Sequence, residues 1–102
     1  MKARMPLNLV GPTIRTLRCR RRWTQADLAL RLQLAGWNIS RSGVAKIEAR
    51  LVHVDDRELW YLGHALHATV GDLFPPRNPH KTIREAFAEV LGTELSTELV
   101  PA

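Results

Sequence analysis

The chain has 102 residues, of which 45% are hydrophobic, 15 are Lys or Arg and 10 are Asp or Glu. This size indicates one compact domain with an accessory element, and the hydrophobic fraction excludes wholesale disorder. The single cysteine, Cys19, excludes a disulfide framework. Because no apolar run is long enough for a membrane span or a signal peptide, we expect a cytoplasmic protein that does not bind membranes.

The charge is unevenly distributed along the chain. Residues 1–57 contain 12 Lys or Arg and 4 Asp or Glu, whereas residues 58–102 contain 3 and 6. A basic front half beside an acidic rear half predicts a polyanionic partner for the front half only. Charge alone is equally compatible with a basic protein that is merely soluble.

Helix signals recur along the chain, whereas strand signals are nearly absent. The first predicted helix begins at Gly11-Pro12, because a proline in the first turn needs no N–H. Four further helices are predicted from capping residues, which are Thr24 with Asp27, Ser40, either Asp55 or Asp56, and Thr69 with Asp72. Gly36 is the expected stop of the second helix, and the third helix is predicted over residues 40–50.

Prolines interrupt the helical pattern after Phe74 and predict a linker over residues 75–81. A last amphipathic helix is predicted from Thr82 to about Leu91. Its apolar face consists of Ile83, Phe87, Val90 and Leu91. We expect this face to pack on a second subunit, and the alternatives are its own domain or a partner protein. The predicted divisions are a domain over 11–74, the linker 75–81, and a C-terminal helix and tail over 82–102.

The second and third predicted helices have the outline of a helix-turn-helix motif. Residues 11–74 resemble the phage-repressor/Cro-like (XRE) family of DNA-binding proteins. The segments that carry this resemblance are Ile14-Arg15-Thr16-Leu17-Arg18, Thr24-Gln25-Ala26-Asp27-Leu28-Ala29, Ile39-Ser40-Arg41-Ser42, Val44-Ala45-Lys46-Ile47-Glu48 and Val70-Gly71-Asp72-Leu73-Phe74. The resemblance implies an all-α, five-helix repressor-like domain that binds double-stranded operator DNA, usually as a homodimer on a palindromic site.

The third helix is the expected reader of the major groove. Arg41, Ser42 and Lys46 lie on its outward face, and arginine or lysine can donate hydrogen bonds to guanine O6 and N7. The family pattern implies that Gln25, in the first turn of the second helix, anchors a phosphate. The complete candidate DNA-binding set is Arg15, Gln25, Ser40, Arg41, Ser42, Gly43, Lys46 and Arg50.

The other notable residues of this region either have two possible roles or are expected to be structural. Gly43 either lets the helix backbone approach DNA closely or is a weak helix residue. By resemblance, Arg18 and Glu48 form a buried ion pair between the first and third helices, so both stay outside the DNA site. Further candidate phosphate contacts, each equally compatible with a solvated surface, are Arg20, Arg21, Arg22, Arg31 and His53.

The chain departs from the family pattern at two places. The stretch from Gln33 to Asn38 is longer than the usual tight turn, so the second helix is expected to gain a turn. This leaves the role of Trp37 open. Arg50 stands where the family commonly has glycine, and an arginine with positive φ there would be mildly strained.

Two functions of different classes fit these patterns. The first is a DNA-binding transcriptional regulator, a repressor. The alternative is an antitoxin-like or adaptor protein whose C-terminal half binds a partner protein, and the two can coexist. RNA binding is disfavoured because no stacking aromatics are arrayed on a sheet. The sequence predicts neither an enzyme nor a cofactor.

Two side-chain pairs of the rear half are ambiguous. His64 and His67 have spacing compatible with a metal, but no further ligands complete a site, so a solvated pair is favoured. Trp60 and Tyr61 make the fourth helix apolar nearly all round. That helix is therefore either deeply buried or part of an interface.

Overall fold

The computed structural model describes residues 5–76 together with Thr82, Arg84 and Glu85. This part of the chain is all-helical and contains no strand. Its α-helices are α1 (Gly11–Arg20), α2 (Gln25–Ala35), α3 (Arg41–Glu48) and α4 (Asp56–Ala65), and a 3₁₀ turn follows at Gly71–Leu73. None of these helices has the length and apolar character needed to cross a membrane.

The prediction of five helices is not confirmed, because the fifth element is a single 3₁₀ turn. Thr69 and Asp72 do exchange hydrogen bonds, with each backbone N–H donating to the other side chain. Phe74, however, is already extended at φ −88° and ψ 154°. Pro75 follows it, and a proline disfavours helical backbone at the preceding residue. The helix therefore cannot continue.

Side-chain caps define where α2, α3 and α4 begin, as the sequence predicts. Thr24 and Asp27 form a capping box, in which the Thr24 N–H donates to the Asp27 carboxylate at 2.7 Å. This hydrogen bond lowers the pKa of Asp27. Asp55, rather than Asp56, is the cap of α4, and it forms a capping box with Glu58. Such caps satisfy N–H groups that the first turn of a helix leaves unpaired.

The stretch from Gln33 to Asn38 contains the last turn of α2 and the residues that end it. α2 continues through Ala35, and Gly36 ends it with φ 115°. The Trp37 N–H donates to the Leu32 carbonyl at 2.9 Å, and the Gly36 N–H donates to the Gln33 carbonyl at 3.1 Å. These two bonds form a Schellman motif, which requires a left-handed residue that glycine supplies without strain. The stop predicted at Gly36 is confirmed, and α2 includes the first half of the stretch from Gln33 to Asn38.

All four helices and the 3₁₀ turn contribute to one core. α3 packs against α1 and α2, and α4 packs against α2 and the 3₁₀ turn. The buried hydrophobic residues are Val10, Ile14, Leu28, Ala29, Leu32, Ile39, Val44, Ile47, Leu62, Leu66 and Leu73. The members of this core all lie within residues 10–73, so the helices that position α3 pack on one another.

The prediction that the third helix extends over residues 40–50 is wrong at its C-terminal end. α3 ends at Glu48, and Arg50 has φ 62°, in the left-handed region. The Arg50 carbonyl accepts the backbone N–H of Leu7 at 3.0 Å, so the N-terminal segment lies against this turn. The strain expected at Arg50 follows from its positive φ, because a residue with a side chain disfavours the left-handed region.

Most of the predicted linker and C-terminal helix lies outside the described residues. At the predicted start of that helix, the Thr82 N–H donates to the Glu85 carboxylate at 3.2 Å. The Glu85 N–H donates to the Thr82 hydroxyl at 3.1 Å. These reciprocal bonds have the pattern of a capping box. The apolar face over Ile83 to Leu91 and the interface expected there stay predictions.

Candidate nucleic-acid interface

The two faces of α3 have opposite character. Val44 and Ile47 are buried in the core, whereas Arg41, Ser42 and Lys46 are exposed. This confirms the sidedness predicted from helical spacing. The helix therefore presents two cations and a hydroxyl outward from a face that the core holds in place.

Ser40 and Gly43 have structural roles at the start of α3. The Ser40 hydroxyl accepts the Gly43 backbone N–H at 3.1 Å, which caps the helix. A Cβ at position 43 would lie 2.7 Å from Cγ1 of Ile39. A side chain at position 43 would therefore require Ile39, which is buried, to shift. Close approach of the Gly43 backbone to DNA stays a prediction.

Arg18 and Glu48 form the ion pair that the resemblance implies. Arg18 Nε donates to Glu48 Oε2 at 2.7 Å, and Arg18 Nη2 donates to Oε1 at 2.9 Å. Their side chains are only 11% and 4% exposed. The hydrogen bonds to Glu48 raise the pKa of Arg18. Arg18 Nη1 also donates to the Trp23 carbonyl at 2.7 Å, so α1, α3 and the start of α2 are tied together.

Gln25 is attached to this pair. Its amide Nε2 donates to Glu48 Oε1 at 3.2 Å, and the residue is half-buried in the first turn of α2. The buried pair thus orients a side chain at the helix N-terminus, where the helix dipole favours an anion. Phosphate anchoring by Gln25 stays a prediction.

Two of the further candidate phosphate contacts, Arg21 and Arg31, lie against the ring of Trp23. Arg31 stacks 3.9 Å above the ring centroid of Trp23, and Arg21 lies 5.7 Å from the same ring. Arg21 also donates to the Leu17 carbonyl at 3.1 Å. Both side chains therefore already make contacts within the protein. This makes them weaker candidates for binding phosphate than an arginine whose side chain makes no such contact.

Arg15, Arg20 and Arg50 instead line one open groove between α1 and the end of α3, which we call the α1–α3 groove. Its volume is about 740 Å³. Its other lining residues are Pro12, Thr16, Cys19, Glu48 and Ala49. Arg15 and Arg20 are exposed, and Arg50 is half-buried. Two residues of the predicted DNA-binding set, Arg15 and Arg50, are thereby brought together.

Asn8 connects the two helices that form this groove, a role that the sequence analysis did not predict. Its amide donates to the carbonyls of Ile47 at 3.1 Å and Val52 at 2.9 Å. Its Oδ1 accepts the Gly11 N–H at 2.9 Å. Asn8 therefore fixes the start of α1 to the end of α3. Only the bond to the Gly11 N–H could have been anticipated, because asparagine side chains often accept backbone N–H groups a few residues further along the chain.

The outward face of α4 is aromatic. Trp60 is 62% exposed and stacks on His64, with ring centroids 5.5 Å apart. Tyr61 is half-buried and packs beside Trp37 at 6.1 Å. α4 is thus core on one side and a candidate interface on the other. Across the residues that the structure describes, no group of three or more potential ligands is suited to a metal ion.

Comparison with known proteins does not assign a function to this surface. The chain matches no protein-family model, no curated protein and no solved structure. The functional interpretation therefore depends on the geometry of α1, α2 and α3 and on the charges that they present.

Proposed function

We propose that the protein is a sequence-specific double-stranded DNA-binding transcriptional regulator, a repressor of the phage-repressor/Cro-like type. In this proposal the 3₁₀ turn stands as the fifth element of the repressor-like domain. The observation that carries it is the outward face of α3, where Arg41, Ser42 and Lys46 are exposed over a buried apolar face. A helix of this kind fits the width of the major groove.

Base reading is assigned to the outward face of α3. Arg41 is its first residue, and a guanidinium can donate two parallel hydrogen bonds to O6 and N7 of guanine. Lys46 lies one turn beyond Ser42 and supplies a second donor. Arginine and lysine are both long enough to reach base edges from a helix axis, whereas Ser42 contacts a base or phosphate that lies close to the helix.

Backbone contacts are assigned to the elements that flank α3. Gln25 is held at the N-terminus of α2 by its hydrogen bond to Glu48. Phosphate binding is favoured there by the helix dipole and by N–H groups of the first turn. Arg15 and Arg50 flank the other end of α3. Such contacts fix the register of a protein on DNA and leave base contacts to provide the specificity.

The test is selection of bound duplexes from a random DNA pool, followed by affinity measurements at several salt concentrations. We expect a recovered consensus that binds about 10³-fold or more tightly than random DNA at physiological salt. Affinity for both duplexes should fall as salt rises, because phosphate contacts release counterions. A pool that yields no consensus, with equal affinity for every duplex, would contradict sequence-specific binding.

We further propose a homodimer that binds a palindromic operator, with α4 in the interface. Two recognition helices about 34–36 Å apart would read two half-sites on one face of DNA. The supporting observation is the aromatic outward face of α4, where Trp60 is 62% exposed and stacks on His64, because aromatic residues are enriched at protein interfaces. The predicted C-terminal helix is the other candidate contact.

Trp60→Glu is expected to convert the dimer to monomer, measured by light scattering over a range of protein concentrations. Ala26→Glu is the control, because Ala26 is exposed on α2 and its replacement also adds a negative charge. A second variant truncated at Arg77 tests the C-terminal helix. Retention of a full dimer by Trp60→Glu would remove α4 from the interface, and a wild-type monomer at high concentration would contradict the dimer.

The alternative is an antitoxin-like or adaptor protein whose C-terminal half binds a partner protein. The exposure of Trp60, together with the acidic C-terminal sequence, favours this as a second function. A pure interaction module would show no preference between selected and random DNA. The affinity comparison above therefore separates the two candidates.

A further inference from the structure

We propose that the α1–α3 groove binds a phosphate of the DNA backbone beside the bases that α3 reads, and that Arg15 and Arg20 of α1 are its ligands. This inference rests on the proposed function and extends it, because it defines the phosphate site beside α3 as this groove and adds Arg20 to Arg15 as its ligand. Sequence pattern alone does not distinguish Arg20 from its neighbours Arg21 and Arg22 as a phosphate contact.

The position of the groove is the first argument. Ala49 is exposed and follows Glu48 directly at the end of α3, and it also lines the groove. The groove therefore continues the surface of α3 toward α1 without an intervening element. A duplex seated along α3 would bring one backbone strand over this opening, because the sugar-phosphate strands form the two walls of the major groove.

The charge of the groove is the second argument. The one carboxylate among its lining residues is Glu48. Both oxygens of Glu48 accept hydrogen bonds from Arg18, and Oε1 also accepts one from Gln25. Its negative charge is consequently compensated within the protein. Arg15 and Arg20 then leave the groove positive, and the guanidinium fork matches the geometry of a phosphate.

The rigidity of the groove walls is the third argument. Asn8 bonds the start of α1 to the Ile47 carbonyl, and Leu7 bonds to the Arg50 carbonyl. At Gly11, a Cβ would collide with the Ile47 carbonyl oxygen, so α1 and α3 are in backbone contact there. Two walls fixed in this way hold the backbone of Arg15 and Arg20 in place relative to α3, so that binding to DNA has to order only their side chains.

The double variant Arg15→Gln/Arg20→Gln is measured on the selected duplex and on random DNA by fluorescence anisotropy, from about 50 to about 200 mM salt. We expect the slope of log affinity against log salt to become shallower by about 1, with an equal loss of affinity on both duplexes. Arg57→Gln on α4 is the matched control and should leave the slope unchanged. Both arginines are exposed, so thermal melts should coincide with wild type.

The single cysteine provides a readout that does not depend on affinity. Cys19 is exposed and lines the groove, so its alkylation by iodoacetamide should slow severalfold when the selected duplex is bound. Equal protection by inorganic phosphate at the same ionic strength would make the groove a free-anion site and overturn the proposal. An unchanged salt slope in the double variant, while Arg41→Ala still weakens binding to the selected duplex, would overturn it and leave the proposed function intact.

Discussion

Replacement of Glu48 by alanine is expected to destabilise the domain by about 3–5 kcal/mol, because it leaves the Arg18 guanidinium buried without a counter-charge. Glu48 accepts three hydrogen bonds, two from Arg18 and one from Gln25, and its side chain is 4% exposed. For a domain of this size, the loss corresponds to a fall in melting temperature of roughly 12 °C or more. Thermal unfolding followed by circular dichroism measures it.

Two further variants test the cause of this loss. Asp56→Ala removes an exposed carboxylate from the first turn of α4 and should change stability by less than about 1 kcal/mol. The double variant Arg18→Met/Glu48→Leu removes both charges and should recover part of the stability. A melting curve of Glu48→Ala that coincides with wild type would mean that the pair is solvated and makes no net contribution.

Replacement of Arg41 by alanine is expected to weaken binding to the selected duplex by about 1–3 kcal/mol, or about 5- to 150-fold. Arg41 is exposed, so the substitution removes a contact to DNA without disturbing the core. Because one bidentate contact discriminates one base pair, repeated selection with the variant should recover a consensus relaxed at a single position in each half-site.

The comparison with random DNA decides what Arg41 contacts. A base contact is lost only on the selected duplex, whereas a phosphate contact is lost on every duplex. Arg57→Ala, which removes an exposed arginine of α4, is the control for the loss of a positive charge. If Arg41→Ala weakened both duplexes by the same factor, base reading by Arg41 would be refuted, and the specificity would have to come from elsewhere on α3.

Local hydrogen bonding explains what could be predicted from the sequence. The caps at Thr24, Ser40 and Asp55 each bond a residue three positions away, and Gly36 ends α2 through bonds within its last turns. These interactions are determined by neighbouring residues, so short patterns identify them. The Arg18–Glu48 pair was predicted from family resemblance, which substitutes for knowledge of contacts between distant residues.

Contacts between segments far apart in sequence decided the rest. Asn8 bonds Ile47 and Val52 across 39 and 44 positions, and no local pattern contains that information. Helical spacing likewise could not divide the aromatic residues of α4, because the neighbouring elements determine that Trp60 is exposed and Tyr61 half-buried. The sequence determined the helices and the outward face of α3. Only the tertiary structure decided that Arg20 shares a groove with Arg15, because the packing of α1 on α3 creates that groove.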